Sequence, residues 1–335
     1  MILLLTFLIA LLACYALGLA APQFRLMAHP GEHRKHQMAT PLVGGIAIFI
    51  SVTLGLVITR IPELKLLPSL VLLFVVGVID DRYKLPSWSR FLAQALATYL
   101  MIEFTGVQLT SLGSLFGQAE LQLGIWSMPV TVFAVIGVIN AVNMSDGLDG
   151  QSGLLVILTL LCMLYLGSQA ATFLKLVVAS ILGFLCWNIR LGRPYAAIFM
   201  GDAGSTVLGL IVAYCLIDMS QAPMRIIPPV TALWLLALPL IDAVAVLLVR
   251  PLRGYSPFSA DRLHYHHLLQ ARGLSVNTTL AAVIVGQSTL VIIGMAMLFW
   301  QVQEHYQLWA FLVIFGVYFM RLFFVSAELN EVSKK

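Results

Sequence analysis

The sequence predicts an all-α, polytopic integral membrane protein, and three observations carry that reading. Sixty per cent of the 335 residues are hydrophobic and only 10% are charged, against about 25% charged in a soluble domain. Mean hydropathy is +0.96. Eleven apolar stretches approach or reach the length needed to cross a hydrocarbon core, which takes roughly 20 helical residues. They lie near 1–21, 41–59, 66–79, 88–106, 128–142, 152–168, 171–189, 203–219, 229–249, 277–301 and 307–325.

Charge placement sets the orientation. With the N-terminus outside and the spans alternating, fifteen of the nineteen Lys and Arg residues fall on inner connections. Three, Arg60, Lys65 and Arg225, fall outside, and Lys175 lies within the seventh stretch. That asymmetry favours eleven spans with the C-terminus cytoplasmic. Residues 1–21 lack the basic start of a cleavable signal peptide and read as a retained helix. Residues 1–335 read as a single transmembrane catalytic domain with no internal repeat. Cys14, Cys162, Cys186 and Cys215 sit in apolar runs without metal spacing and read as buried thiols.

Polar residues gather on one side. The longest outer connection, 107–127, has no Lys or Arg. The inner segments 22–40, 80–87, 140–151, 190–202 and 250–276 hold nearly every Asp, Asn and His with an unusual neighbourhood. Polar groups beside a membrane core are costly, so their concentration reads as an active site on the cytoplasmic face.

Four motifs carry chemistry. Asp80-Asp81 ends an apolar run, and two adjacent carboxylates there call for a divalent cation or for Arg82 and Lys84; a solvated helix end is the plainer reading. Asn140 and Asn143 share one helical face, followed by the turns Asp146-Gly147 and Asp149-Gly150. Amides and carboxylates beside a glycine-rich turn suit Mg²⁺, which takes oxygen ligands and keeps several waters. Asp202, between Gly201 and Gly204, is either a helix cap or a metal- or phosphate-binding group at a helix start. Arg262, His264, His266 and His267 form either a donor cluster for phosphate oxygens, a transition-metal site or a solvated loop. The basic segment His29, His33, Arg34, Lys35 and His36 reads as a second phosphate-facing patch or as the inner-loop charge signal alone.

Other polar residues read as structural. Gly44-Gly45 suit close helix packing. Asp242, inside the ninth stretch, either lines the cleft or pairs with a neighbour, and pairing is the favoured reading. Glu103, Asp218 and Lys175 read as outer-boundary residues. Carboxylates for a divalent cation together with cationic donors for phosphates suit phosphoryl transfer. The alternative is a transporter or flippase for an anionic lipid or sugar phosphate, which calls for carboxylates near the midplane and access from both sides. A membrane scaffold leaves the Asp/Gly motifs unexplained.

In order and spacing, Asp80-Asp81, the Asn140–Asp149 block, Met200–Ser205 and the Arg262–His267 loop resemble the polyprenyl-phosphate N-acetylhexosamine-1-phosphate transferase superfamily (glycosyltransferase 4 family). The resemblance runs from about residue 30 to 270. It is nearest to the WecA-type undecaprenyl-phosphate N-acetylglucosamine-1-phosphate transferases. The muramoyl-pentapeptide branch usually shows three consecutive His followed by Phe-Glu. Here the loop reads His264-Tyr265-His266-His267-Leu268-Leu269, which argues against a peptide-bearing substrate.

The resemblance implies a UDP-N-acetylhexosamine donor, by default UDP-GlcNAc, with GalNAc, FucNAc and QuiNAc left open. It implies undecaprenyl phosphate as acceptor, UMP as product, and Mg²⁺ or Mn²⁺ as cofactor. It places the protein in a bacterial cytoplasmic (inner) membrane, starting a lipid-linked envelope glycan such as O-antigen, common antigen or a teichoic acid linkage. It implies no nucleic-acid partner and leaves a homodimer open. Carried over by motif, Asp202 and Asn143 hold the metal, and Asp80 and Asp81 sit at the reacting phosphates. Asp146 and Asp149 position the donor, with Asn140 in the same substrate-binding set. Arg262, His264, His266 and His267 grip the pyrophosphate or the sugar.

Overall fold

The computed structural model describes residues 1–335 except 29–38, 118, 191, 222, 224, 258, 260, 261, 334 and 335, and it leaves out the side chains of 327–333. The basic segment containing His29, His33, Arg34, Lys35 and His36 therefore lies outside the described residues.

In hydrocarbon a backbone must satisfy its own hydrogen bonds, so apolar runs of this length become helices. A helix occupies each of the eleven stretches. They are α1 (Ile2–Phe24), α2 (Gly44–Thr59), α3 (Leu67–Tyr83), α4 (Ser87–Thr105), α5 (Ser127–Met144), α6 (Gln151–Tyr165), α7 (Ala171–Asn188) and α8 (Asp202–Ser220), then the pair α9 (Pro229–Leu235) and α10 (Ala237–Leu252), and, beyond the short α11 (Tyr265–Ala271), α12 (Val276–Phe299) and α13 (Glu304–Ser333). Seven are long and apolar enough to cross a membrane, or eight if α9 and α10 count as one span. The helices α2 and α6 are apolar but only 16 and 15 residues long.

The helices gather into two compact units. The first comprises 1–110 and 124–226, the second 111–123 and 227–335.

The first unit is built around α8. Sixteen of its nineteen residues are buried, and it packs against α2, α3, α5 and α6. Small residues set the approach distances. Gly209 lies on the backbone of Ile139, where a Cβ would come within 2.6 Å of the Ile139 Cα. Gly45 and Gly204 are likewise in mutual backbone contact, as the sequence reading of Gly44-Gly45 anticipated. The strand preceding α8 is held by the start of α2. Gly44 N–H donates to the Phe199 carbonyl (3.0 Å) and Gly45 N–H to the Met200 carbonyl (2.8 Å). Nearby, β1 (Met27–Ala28) and β2 (Thr40–Pro41) pair antiparallel.

The second unit packs α9, α10, α12 and α13 around Trp234, Ala237, Ile241 and Phe311. The ninth stretch, read from sequence as one span, is instead broken. The helices α9 and α10 meet at 86°, with Leu236 at φ −125, ψ 28. Pro239 supplies one reason. In a continuous helix its N–H would bond the Leu235 carbonyl, and proline has none. Gln287 of α12, fully buried, replaces the missing partner: its Nε2 donates to the Leu235 carbonyl at 2.9 Å. Its Oε1 accepts the Leu238 N–H at 2.8 Å. A second glutamine, Gln307, accepts the Thr231 hydroxyl at 3.1 Å and donates to the Val302 carbonyl.

Gln287→Leu fills the same space but orphans both backbone groups. The expected cost is about 2 kcal/mol, read as a lowered thermal midpoint of the purified protein in detergent. An unchanged midpoint would show that the break does not depend on this clamp.

Candidate active site

The site in the first unit starts from one close approach. Gly77 of α3 lies directly against the backbone of Ala203 at the start of α8. One helical turn further along α3, the Asp81 carboxylate therefore arrives at the N-terminus of α8. It accepts the N–H of Asp202 at 2.8 Å and that of Ala203 at 3.1 Å. The first turn of a helix has unpaired N–H groups and a partial positive charge. Here the residue before α8 is Gly201, which has no side chain to cap with and sits at φ +77. A Cβ there would come within 2.5 Å of the Asp81 carboxylate. Gly201 thus serves both the left-handed turn and the incoming cap.

Asp80, the neighbour on α3, points elsewhere because adjacent helical residues diverge by about 100°. It is buried, 3% exposed. It accepts the Leu85 N–H at 2.6 Å and faces Arg90 of α4 at 3.4 Å. Arg90 also contacts the Ser87 hydroxyl at 3.3 Å.

Asn143, at the end of α5, donates its amide to Asp202 Oδ1 at 2.7 Å and to Ser205 Oγ at 2.8 Å. One turn back, Asn140 donates to Gln94 Oε1 of α4 at 2.8 Å. The two asparagines do share a face, and that face carries the amide edge of a cleft. The cleft has a cavity volume of about 20 Å³ and is lined by Asp80, Arg90, Gln94, Asn140, Asn143, Asp202 and Thr206 on the polar side. Leu73, Val76 and Ala93 form its apolar wall. The carboxylates of Asp80 and Asp202 are near enough to interact. Asp80 and Asp202 are therefore the groups able to hold a hard divalent cation. Among the described residues no three His, Cys, Asp or Glu side chains converge as a metal cage. Mg²⁺ needs none, because it binds through one or two carboxylates and completes its shell with water and substrate phosphate.

The turn after α5 is tied down separately. Asp149 pairs with Arg190 Nε at 2.5 Å and accepts the Ala196 N–H at 3.3 Å. Asn188 accepts the Gly150 N–H and donates to the Ile198 carbonyl. Asp149 thereby braces the segment that leads into Asp202. Asp146 is half-buried in the same turn, its N–H on the Asn143 carbonyl at 3.0 Å.

The histidine loop belongs to the second unit. His264 and His266 are buried and their rings are parallel, 5.9 Å apart. His266 packs on His267 at 4.2 Å. Burial, reinforced by the neighbouring His267 and His264, pushes His266 down to about 3, so its ring is uncharged near neutral pH. Asp242 of α10 is paired, as the sequence suggested: it lies 2.8 Å from His264 Nδ1 and accepts the Tyr265 N–H at 2.9 Å and the Tyr318 hydroxyl of α13. Arg250 reaches the Pro257 carbonyl at 2.7 Å and anchors the loop upstream of Arg262.

The sequence reading missed Arg90, Gln94, Ser205 and Tyr318. Arg90 and Gln94 carried a usable signal, since two polar residues four apart on an apolar helix share a face. Ser205 and Tyr318 carried none, because their partners are distant in the chain.

Comparison with known proteins now bears on this geometry. Residues 64–220, which hold every side chain of the cleft, match the model of glycosyl transferase family 4. An undecaprenyl-phosphate alpha-N-acetylglucosaminyl 1-phosphate transferase from Yersinia pestis is 37% identical over 278 residues, 80% of this chain and 76% of the relative. The protein of that name from Haemophilus influenzae is 35% identical over 325 residues, 93% of this chain and 91% of the relative. The chain belongs to glycosyl transferase family 4. Its resemblance in the four motifs is thereby matched over most of its length, and the motif carboxylates Asp80, Asp81 and Asp202 of this transferase occupy one end of one compact unit.

Two outcomes follow. Asp81→Ala removes the carboxyl cap from a buried helix start, so stability should fall by about 2 kcal/mol together with activity. Loss of activity at full stability would give Asp81 a chemical role instead. For His266, a folded pKa near 3 against about 6.5 unfolded means that the unfolded chain binds the extra proton. Stability should be complete above about 6.5 and decline as pH falls toward 3. His266→Gln should flatten that decline in pH-dependent thermal unfolding.

Proposed function

We propose that this transferase moves N-acetylglucosamine-1-phosphate from UDP-GlcNAc to undecaprenyl phosphate, releasing UMP at the cytoplasmic face of a bacterial inner membrane. The observation that carries the reading is the cleft in which Asp80, Asp202 and Arg90 face an apolar wall of Leu73, Val76 and Ala93. Such a lining suits a phosphate at the end of an isoprenoid chain. The names of the relatives supply the donor sugar and the acceptor. The finer topology is part of the same reading: eleven spans, N-terminus outside, with the inner connections carrying the excess of Lys and Arg.

In the reaction, an oxygen of the lipid phosphate attacks the sugar-bearing phosphorus of the donor. The bond from that phosphorus to the bridging oxygen breaks, and UMP leaves with that oxygen. A phosphate monoester has its second pKa near 6, so the nucleophile is largely ionised at neutral pH and needs no strong base. The obstacle is the approach of two anions. Arg90 supplies a cation beside Asp80. Asp202, oriented by Asn143, and Asp80 hold Mg²⁺, or Mn²⁺ in its place. That ion, when bound, neutralises phosphate charge and polarises the reacting phosphorus. Gln94 and Asn140 give neutral hydrogen bonds along the same edge. Following the motif resemblance, Arg262, His264, His266 and His267 bind the donor's pyrophosphate or sugar, and Asp146 contributes to holding the donor.

The test uses purified full-length protein, UDP-GlcNAc, a short polyprenyl phosphate and Mg²⁺. UMP release should require both lipid and metal and stop with EDTA. Asp80→Asn and Asp202→Asn should each lose about 10²–10³-fold in rate with the fold intact. Release of UMP without lipid, or a phosphorylated Asp80, would replace direct attack by a covalent route. No release from any UDP-sugar would return the transporter alternative.

A further inference from the structure

Asp242 of the second unit is engaged by three partners, and the reaction above makes no use of it. It lies on α10, buried, with three donors on it: His264, the Tyr265 backbone N–H and the Tyr318 hydroxyl. A carboxylate inside a membrane protein is costly and marks function or a necessary pairing. Two of its three donors come from the histidine loop itself, at consecutive positions, so it grips that loop by one side chain and one backbone group. The third comes from α13 and holds the carboxylate from the other side.

We propose that Asp242, backed by Tyr318, is the positioning group for His264, fixing its ring so that Nε2 is the atom presented to the donor. An ionised carboxylate only accepts hydrogen bonds. Nδ1 of His264, 2.8 Å away, must therefore carry a proton. The ring's remaining nitrogen is Nε2, and an acceptor on one nitrogen decides what the other can do. If the ring takes a second proton to donate to a phosphate oxygen, Asp242 carries the counter-charge. The Tyr265 N–H bond keeps the loop from rotating, because it fixes the backbone immediately after His264 at the start of α11. The ring also lies parallel to the His266 ring, with centroids 5.9 Å apart. Among the described residues the Tyr318 hydroxyl hydrogen-bonds Asp242, while its ring lies edge-on to the Tyr265 ring; Tyr318→Phe keeps that ring contact and removes the hydroxyl alone. It therefore separates positioning from direct contact.

This inference rests on the reading that His264 meets the donor, so the test has two arms. The first needs no activity. In ¹⁵N-histidine-labelled full-length protein, with His264 assigned by the signal lost in His264→Asn, the His264 Nδ1 should be the protonated nitrogen. Tyr318→Phe and Asp242→Asn should shift that signal. A ring protonated only at Nε2 overturns the proposal. The second arm is a double-mutant cycle on UMP release. Tyr318→Phe should lower kcat by about 3- to 10-fold and Asp242→Asn by more, with melting midpoints near wild type. Either combined with His264→Asn should lose no more than His264→Asn alone. Losses that multiply in the double variants overturn the proposal, because a structural role persists without the imidazole. If Asp242→Asn fails to fold, the Tyr318→Phe cycle decides. If the wild type releases no UMP, the function assignment falls and the ring spectrum alone judges the positioning.

Discussion

A helix that begins inside a membrane protein exposes several N–H groups and a partial positive charge with no water to receive them. In this transferase that helix is α8, and the group that receives them is Asp81, delivered from α3. The delivery depends on Gly77. Only a residue without a side chain lets the α3 backbone lie on Ala203, and only at that distance does Asp81 reach two consecutive N–H groups. Gly201 completes the arrangement by leaving room for the carboxylate. From this single contact the positions of Asp80 and Asp202 both follow.

Adjacent carboxylates with different fates are the consequence. Asp81 accepts two N–H groups of the helix start and so orders the site. Asp80, rotated by one residue, lines the cleft with Arg90. Asp202 is the first residue of the capped helix, so its backbone serves the cap while its side chain turns to Asn143. Structural and chemical duties are thus divided between neighbours in sequence, and a mutation that loosened the cap would also misplace the carboxylate meant for the cation.

Much of this was legible in the chain, for identifiable reasons. Long apolar runs have one solution in lipid, so the helices α1 to α8, α12 and α13 appear where the hydropathy put them. The Asn140–Asn143 face follows from helical period alone. The pairing of Asp242 follows from the cost of burying a charge. What could not be read were contacts between segments far apart in sequence: Asp81 on the start of α8, Gln94 on Asn140, Tyr318 on Asp242. The break between α9 and α10 was hidden because composition stays apolar through Leu236, although Pro239 carried the hint. The histidine loop read in sequence as a phosphate-donor cluster, a metal site or a solvated loop, and none of these showed that burial leaves His266 uncharged near neutral pH.

The Asp80–Asp202 pair and the single carboxylate Asp242 show how a membrane enzyme can give one residue type opposite tasks. Asp242 accepts an imidazole, a backbone amide and a phenol, and these donors leave it little capacity to attract anything else. Asp80 and Asp202 stand near each other with Arg90 as the ion-pair partner at 3.4 Å and with Asn143 as a neutral donor. Their mutual repulsion is only partly relieved by the protein. A divalent cation bound there would offset that charge and would take phosphate oxygens among its remaining ligands. The same carboxylates would repel those phosphates without it. The unbalanced negative charge of the cleft, set against the balance around Asp242, is the physical difference between the two sites.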